Sequence, residues 1–205
     1  MSDSDLIPAF IRARRSIRSF TAAPVDSELL DVAVRAACSA PAPHHSRPWR
    51  FVVIRSESAK QLLAAGMGRQ WRTDLGHDGV AAATIDDLVE RSRVKIESAP
   101  ALVLGCLTWD GLDRYPDEDR QRAEWGMALL SLGAAVENLM LAAADLGLAS
   151  CWVAAPIFCP EAARDSLDLD PTWLPHALVL VGHPDPDYIG RPRPPIPLEE
   201  LRLQR

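Results

Sequence analysis

The residues best equipped for chemistry come early in the chain. Arg14-Arg15-Ser16-Ile17-Arg18-Ser19-Phe20 holds three guanidiniums and two hydroxyls, with apolar Ile17 and Phe20 set among them. Arginine presents a planar fork of donors, and a serine hydroxyl adds one more, so the cluster suits a phosphate monoester. The same residues would also serve as the solvated basic end of a helix. A second group runs Ser39-Ala40-Pro41-Ala42-Pro43-His44-His45-Ser46-Arg47-Pro48-Trp49-Arg50-Phe51. It is a proline-stiffened loop that presents two histidines and two arginines as it enters a strand, and loops on rigid scaffolds commonly carry function. No metal is expected at His44 and His45, because adjacent side chains diverge and no carboxylate stands nearby in sequence. A third group is Gly147-Leu148-Ala149-Ser150-Cys151-Trp152. Its small residues let backbone approach a ligand closely, or simply turn a helix into a strand. In the fourth, Arg191-Pro192-Arg193, two arginines on one side of an extended arm would close over an anion or solubilise a tail.

These groups need elements to position them. Residues 4–15 are expected to form a short helix. The next helix starts near Pro24-Val25-Asp26, with Asp26 as its cap and Leu29, Leu30, Ala33, Val34 and Ala37 at helical spacing. It stops before Pro41. Phe51 to Ile54 is expected as a buried strand, 57–68 as a helix and 69–79, with Gly76 and Gly79, as a loop. A helix over 84–98 precedes a second buried strand, Ala101 to Leu107. The polar segment 110–119 reads as a turn or mobile flap. Glu124 to Leu146 is apolar nearly all round, which makes it a central helix or an oligomer interface. Glu137, Asn138 and Asp145 inside it argue against a membrane span. A strand over Ser150 to Ala154, a helix over Pro160 to Leu167 and a strand over Ala177 to Val181 follow. From Pro184 the prolines favour an extended arm. The expected division is a body over 1–183 and a proline-rich arm over 184–205. Strands separated by helices indicate an α+β domain.

Composition excludes several classes. At 205 residues the chain can bury a core without disulfides or metals. A net charge of -6 argues against a general nucleic-acid binder. Only Lys60 and Lys95 are lysines among 22 basic residues, a bias that base composition explains, so only local arginine clusters carry weight. Cys38, Cys106, Cys151 and Cys159 have no Cys-x-x-Cys or zinc spacing, and are expected to be reduced and mostly buried. The first ten residues lack the pattern of a secretory signal, so a cytoplasmic location is expected. No Gly-x-Gly-x-x-Gly follows a strand and no P-loop is present, which leaves neither a Rossmann nor a nucleoside-triphosphate site.

The order and spacing of these groups resemble the FMN-dependent nitroreductase family. Arg14 to Phe20 matches its Arg-Arg-Ser-x-Arg-x-Phe opening, Pro41 to Phe51 its Pro-Trp loop, Gly133 to Ala143 its long apolar helix and Leu146 to Trp152 its Leu-Gly-Leu-x-Ser-Cys-Trp. The resemblance implies the nitroreductase fold: a central mixed or antiparallel sheet flanked by helices, a long apolar dimer-interface helix and an extended C-terminal arm. It implies a homodimer with FMN at the subunit interface. Arg14, Arg15, Ser16, Ile17 and Arg18 would hold the FMN phosphate end, helped by Arg191 or Arg193. Ala42 and His45 would lie near the isoalloxazine ring, with Ser150 to Val153 at its other edge.

Where that family commonly has Asn and Gln, this chain has His45 and Arg47. Pro-Ala-Pro-His-His-Ser-Arg-Pro, Trp71-Arg72-x-Asp74-Leu75 and Ser150-Cys151-Trp152-Val153 followed by Ile157-Phe158-Cys159 resemble the nitroreductase-like domain of the coenzyme F-420 biosynthesis family. Its ligase part has no counterpart in these residues. The resemblance implies reduction of dehydro-F-420-0, or another anionic substrate, by reduced FMN. His44 is the candidate catalytic group, and Arg47, Arg69, Arg72 and Asp74 are candidate substrate contacts. Rival expectations are a broad NAD(P)H-dependent nitro- or quinone reductase, an oxygen-dependent flavin enzyme, and a non-catalytic flavin or deazaflavin carrier.

Overall fold

Among the described residues, four strands make one antiparallel sheet: β1 (Trp49–Ile54), β2 (Ala101–Leu107), β3 (Ala149–Val153) and β4 (Leu174–Gly182), in the order β1-β2-β4-β3. The structure is a computed structural model that describes residues 7–189, 194 and 196–205. Every residue of β2 is buried, as its unbroken apolar run demands of a strand covered on both faces. Alternate residues serve two cores. Ala101, Val103 and Leu107 join one cluster, and Leu102, Leu104 and Cys106 join the other.

The first cluster is closed by α2 (Ser27–Cys38) and α5 (Glu118–Asp145), through Leu30, Ala33 and Ala37 and through Leu132, Val136 and Leu139. Asp26 caps α2 as expected, its carboxylate accepting from the Glu28 N–H at 3.0 Å. The α5 helix begins six residues earlier than its apolar pattern indicates. Asp117 caps it by accepting from the Arg120 N–H at 2.9 Å, and Glu118 and Asp119 complement the dipole of its first turn. Its length and hydropathy alone would allow it to cross a bilayer. Instead, one face packs against α2 and the sheet, while Met127 and Leu130 on the other stay exposed.

The second cluster is closed by α3 (Glu57–His77), α4 (Ala82–Glu97) and α6 (Pro160–Ser166), through Leu63, Met67, Ile96 and Ala163. Here the expected loop over 69–79 is corrected. The helix runs on to His77, Gly76 is tolerated within it, and the chain turns only at Gly79, whose φ is +75°. Packing of α3 on α4 and α6 overrides the weak propensity of that stretch. Lys60 reaches across from α3, and its buried Nζ donates to the carbonyls of Glu97 (3.1 Å) and Ala99 (2.8 Å) at the C-terminal end of α4.

The ends are tied to the sheet. Helix α1 (Ala9–Ala13) is shorter than expected, and residues 1–6 lie outside the described part. The start of the arm pairs back onto the N-terminal segment: Phe20 bridges Pro184, and the Ser19 hydroxyl donates to Asp185 at 2.8 Å. Further along the arm, Leu198–Leu201 (α7) makes one helical turn where only extended chain was expected.

Candidate functional site

The Arg14–Phe20 segment leaves α1 and runs to the edge strand. The Ile17 N–H donates to the Ser150 carbonyl at 3.0 Å, and Ser16 bridges Ser150 in parallel. At the other end of the segment the Thr21 N–H donates to the His183 carbonyl at 3.0 Å. Arg14 Nε lies 3.0 Å from Glu137 Oε1 in the middle of α5. Arg18 donates to the Ser16 carbonyl at 3.3 Å and remains exposed. The structure therefore brings together the first and third sequence groups at β3, beside the root of the arm. Val153 closes the same strand. Arg191 and Arg193 lie outside the described residues.

The 42–47 loop is a different kind of object. His44, His45 and Arg47 all adopt left-handed backbone, with φ of 52°, 56° and 48°. Each such non-glycine residue costs of order 1–2 kcal/mol, and strain of this kind gathers at working sites. Their side chains are exposed. The loop is clamped from behind. The Thr108 N–H donates to the Pro48 carbonyl at 2.8 Å, and Arg50 pairs with Asp110 at 2.9 Å. Gly111, at φ +73°, approaches so closely that a Cβ there would sit 3.0 Å from the Ser46 carbonyl oxygen. Among the described residues the buried Ser46 hydroxyl has no hydrogen-bond partner.

The segment after β2 is not a loose flap. Glu124, buried on α5, accepts from the Asp113 N–H at 3.2 Å, and Gln121 accepts from the Tyr115 N–H at 3.1 Å. Beside this segment lies an aromatic group that the sequence did not single out. Trp109 and Trp125 stack with ring centroids 4.5 Å apart, and His176 meets Trp125 edge-on at 5.6 Å. The Arg114 guanidinium covers Trp109 at 4.5 Å. His176 is the extra residue of a β-bulge: Pro175 pairs with Cys106 and Ala177 with Gly105, so His176 has no partner on β2. Bulges re-aim side chains in this way. Its ring lies 2.7 Å from the Leu174 carbonyl through Nδ1, and burial lowers its pKa below the ordinary value. Pro175 within an apolar strand was the legible signal of the irregularity.

The two principal groups sit at diagonal corners of the sheet. Ser150 lies opposite Val181 on β4, whereas the 42–47 loop enters β1 at Trp49, level with Leu107 and Leu174. Ordinary strand rise and spacing put these corners roughly 25 Å apart. Arg69, Arg72 and Asp74 stand on helical backbone, on α3 over the opposite face of the sheet from α2 and α5. Arg72 pairs with Asp86 of α4, and Asp74 accepts from Gln70 at 2.8 Å. Arg69 lines a groove with Thr73, Asp165 and Ser166. Their polar neighbours are thus on α3, α4 and α6 rather than on the loop that holds His44 and Arg47.

An antiparallel sheet covered on both faces, with an arginine-serine cluster paired against its edge strand and a strained loop at the far corner, defines an α+β protein whose sheet edge carries donors of the kind that pair with anions. The chain belongs to the Nitroreductase family, whose profile matches residues 11–183, and it is an oxidoreductase of that family. It is 26% identical over 185 residues to a Streptococcus pyogenes protein named NAD(P)H nitroreductase Spy0809, covering 86% of this chain and 91% of that one. Bacillus subtilis YfhC, named in the same way, is 24% identical over 189 residues, covering 91% and 88%. Among solved structures, a Desulfovibrio desulfuricans nitroreductase in complex with FMN superposes with a TM-score of 0.70 at 26% identity, over 96% of this chain and 94% of that one. A BluB-like flavoprotein from Clostridium difficile 630 shares the fold, with a TM-score of 0.75 at 23% identity over 100% and 99%.

Proposed function

We propose that this chain is a cytoplasmic, homodimeric, FMN-dependent reductase of a small anionic acceptor, with dehydro-F-420-0 or a related deazaflavin as the preferred substrate. The observation that carries the cofactor is the meeting of Arg14–Arg18 with Ser150 at the edge strand. Its donors are guanidiniums, hydroxyl and backbone N–H, a set that fits a phosphate monoester. Arg14, Arg15, Ser16 and Arg18 would hold that phosphate, helped by Arg191 or Arg193, with Ile17 anchoring the segment to Ser150. Bound FMN would supply the hydride chemistry, and the protein its orientation and electrostatics.

The diagonal separation of the two corners supports a site completed between two copies, the 42–47 loop of one facing the arginine cluster of the other. Leu130, 77% exposed on α5, together with Met127, Gly133 and Ala134, offers the apolar and small-residue face such a pairing needs. Ala42 and His45 would then border the ring, with Val153 at its other edge. His44 and Arg47 would meet the substrate, one as a proton source and the other as a counter-charge to a carboxylate. Arg69, Arg72 and Asp74 would reach an extended substrate only beyond the far face of the sheet, so they rank behind the loop residues.

The names of the relatives favour a second possibility, a broad NAD(P)H-dependent nitro- or quinone reductase. One experiment separates them. The purified yellow protein is reduced with dithionite under anaerobic conditions and mixed with dehydro-F-420-0 or with a nitroaromatic. Rapid flavin reoxidation by dehydro-F-420-0 supports the deazaflavin substrate. Reoxidation by the nitroaromatic alone, with NAD(P)H restoring the reduced state, assigns the broad reductase. A colourless protein that takes up no FMN sinks both.

A further inference from the structure

Trp109, Trp125 and Arg114 stand outside everything that the cofactor accounts for. Trp109 and Trp125 are only partly buried and pack on the same core cluster as Ala42 of the strained loop. Gly111, two residues beyond Trp109, is pressed against Ser46 of that loop. The aromatic pair and the loop therefore form one continuous corner. Trp125 is held in place by His176, which the bulge turns out of β4 to meet it at an interplanar angle of 62°. Arg114 is exposed and makes no salt bridge among the described residues, while neighbouring Arg50 is taken up by Asp110. A guanidinium lying over an indole keeps its N–H edge directed outward, where it can take a carboxylate in a bidentate pair. The Asp113 and Tyr115 N–H bonds to α5 fix the backbone on both sides of Arg114.

We infer that Trp109, Trp125 and Arg114 form a recognition wall for the electron acceptor, selecting planar aromatic molecules that carry a carboxylate. Trp109 supplies the stacking surface, Arg114 the counter-charge, and His176 is a positioning residue for Trp125. This rests on the reductase function proposed above in taking the 42–47 loop as the end of the molecule where the acceptor enters.

The test uses the FMN-loaded protein and two probes of equal ring shape, 4-nitrobenzoate and nitrobenzene. Binding is read by quenching of tryptophan fluorescence and, separately, turnover by steady-state kinetics. The wild type is expected to bind 4-nitrobenzoate more tightly than nitrobenzene. Arg114→Ala should weaken 4-nitrobenzoate about tenfold in both the quenching titration and KM, with kcat and the nitrobenzene KM unchanged. Arg114→Glu should reverse the preference. Trp109→Leu should weaken both probes, and Trp109→Phe should restore most of the loss. His176→Gln should raise KM for both probes without lowering kcat. Equal binding of the two probes by wild type and Arg114→Ala overturns the wall. Selective quenching without any turnover keeps the wall and removes the broad nitroreductase alternative, whereas turnover of both probes that is indifferent to residue 114 overturns the wall and keeps the reductase function.

Discussion

Arg14 Nε lies 3.0 Å from Glu137 Oε1, which ties the first arginine of the edge-strand cluster to the middle of the longest helix. The carboxylate is itself half-exposed, so water screens the pair and its contribution to stability is small. Its value is in direction: it fixes where the segment leaves α1 before Ile17 joins Ser150. Glu137→Gln is expected to cost under about 1 kcal/mol in urea unfolding and to leave FMN in place. Arg14→Ala should weaken FMN binding about tenfold, as the loss of one charge-assisted contact predicts. Equal FMN affinity in wild type and Arg14→Ala, by fluorescence titration of the apoprotein, would remove this arginine from the cofactor site.

The strained loop gives a trade-off that can be measured. His44 holds φ 52° and ψ 23°, a conformation glycine adopts without penalty. His44→Gly is expected to stabilise the fold by about 1 kcal/mol, raising Tm, while lowering turnover because the imidazole is gone. A fall in Tm would show that the ring packs against something that outweighs the backbone cost.

Much of this was legible in the sequence, and the exceptions are physical. Asp26, Pro41 and the unbroken run of β2 announce their elements through capping, ring sterics and burial, which act within a few residues. The arginine cluster and Ser150 were readable as separate groups. Their meeting was not, because it depends on β3 lying at the sheet edge, where Ser16 can bridge it. The end of α3 was misread because residues 69–77 are held helical by packing on α4 and α6, tertiary contacts that no local pattern in the stretch itself announces. The Trp109–Trp125–His176 group was missed for the same reason. Its members come from the β2 end, α5 and a bulge, and nothing local in the chain joins them.

The four cysteines should separate cleanly by reactivity. Burial pushes the Cys106 thiol up to about 12 and the Cys159 thiol up to about 11, and raises that of Cys151 as well. Cys38 alone is exposed. The thiolate is the species that alkylates, so at pH 8 native protein treated with iodoacetamide is expected to take one adduct, on Cys38. Four adducts should appear in denaturant. Early labelling of Cys151 by peptide mass spectrometry would mean that β3 opens at the sheet edge.

Gly182 connects core packing to the Arg14–Phe20 segment. A Cβ there would meet Phe20 at 2.7 Å and Pro100 at 2.8 Å, both ring atoms with little room to retreat. Gly182→Ala is therefore expected to destabilise by about 1–3 kcal/mol. Phe20 closes the segment that holds Ser16 and Arg18, so displacing it should also weaken FMN binding. A destabilised variant with wild-type FMN affinity would show that the strain is absorbed on the Pro100 side.

His176 should leave a mark on the stability–pH curve. Burial lowers its pKa below the ordinary 6.5, with the Leu174 carbonyl opposing in part. The folded protein thus binds this proton less readily than the unfolded chain. Stability is fully present above about 6.5, and falls as pH drops from there to the lower folded value, because the unfolded state protonates first. Below that value the contribution is constant. The carboxylates held low by hydrogen bonds, such as Asp185 through Ser19, act in a separate window below the usual 3.8. Urea unfolding at pH 7.5 and pH 5.5 therefore isolates the histidine from that carboxylate. Wild type is expected to lose stability between the two, and His176→Gln to lose measurably less. Identical losses in both proteins would place the titrating group elsewhere and would leave the bulge with a purely geometric role.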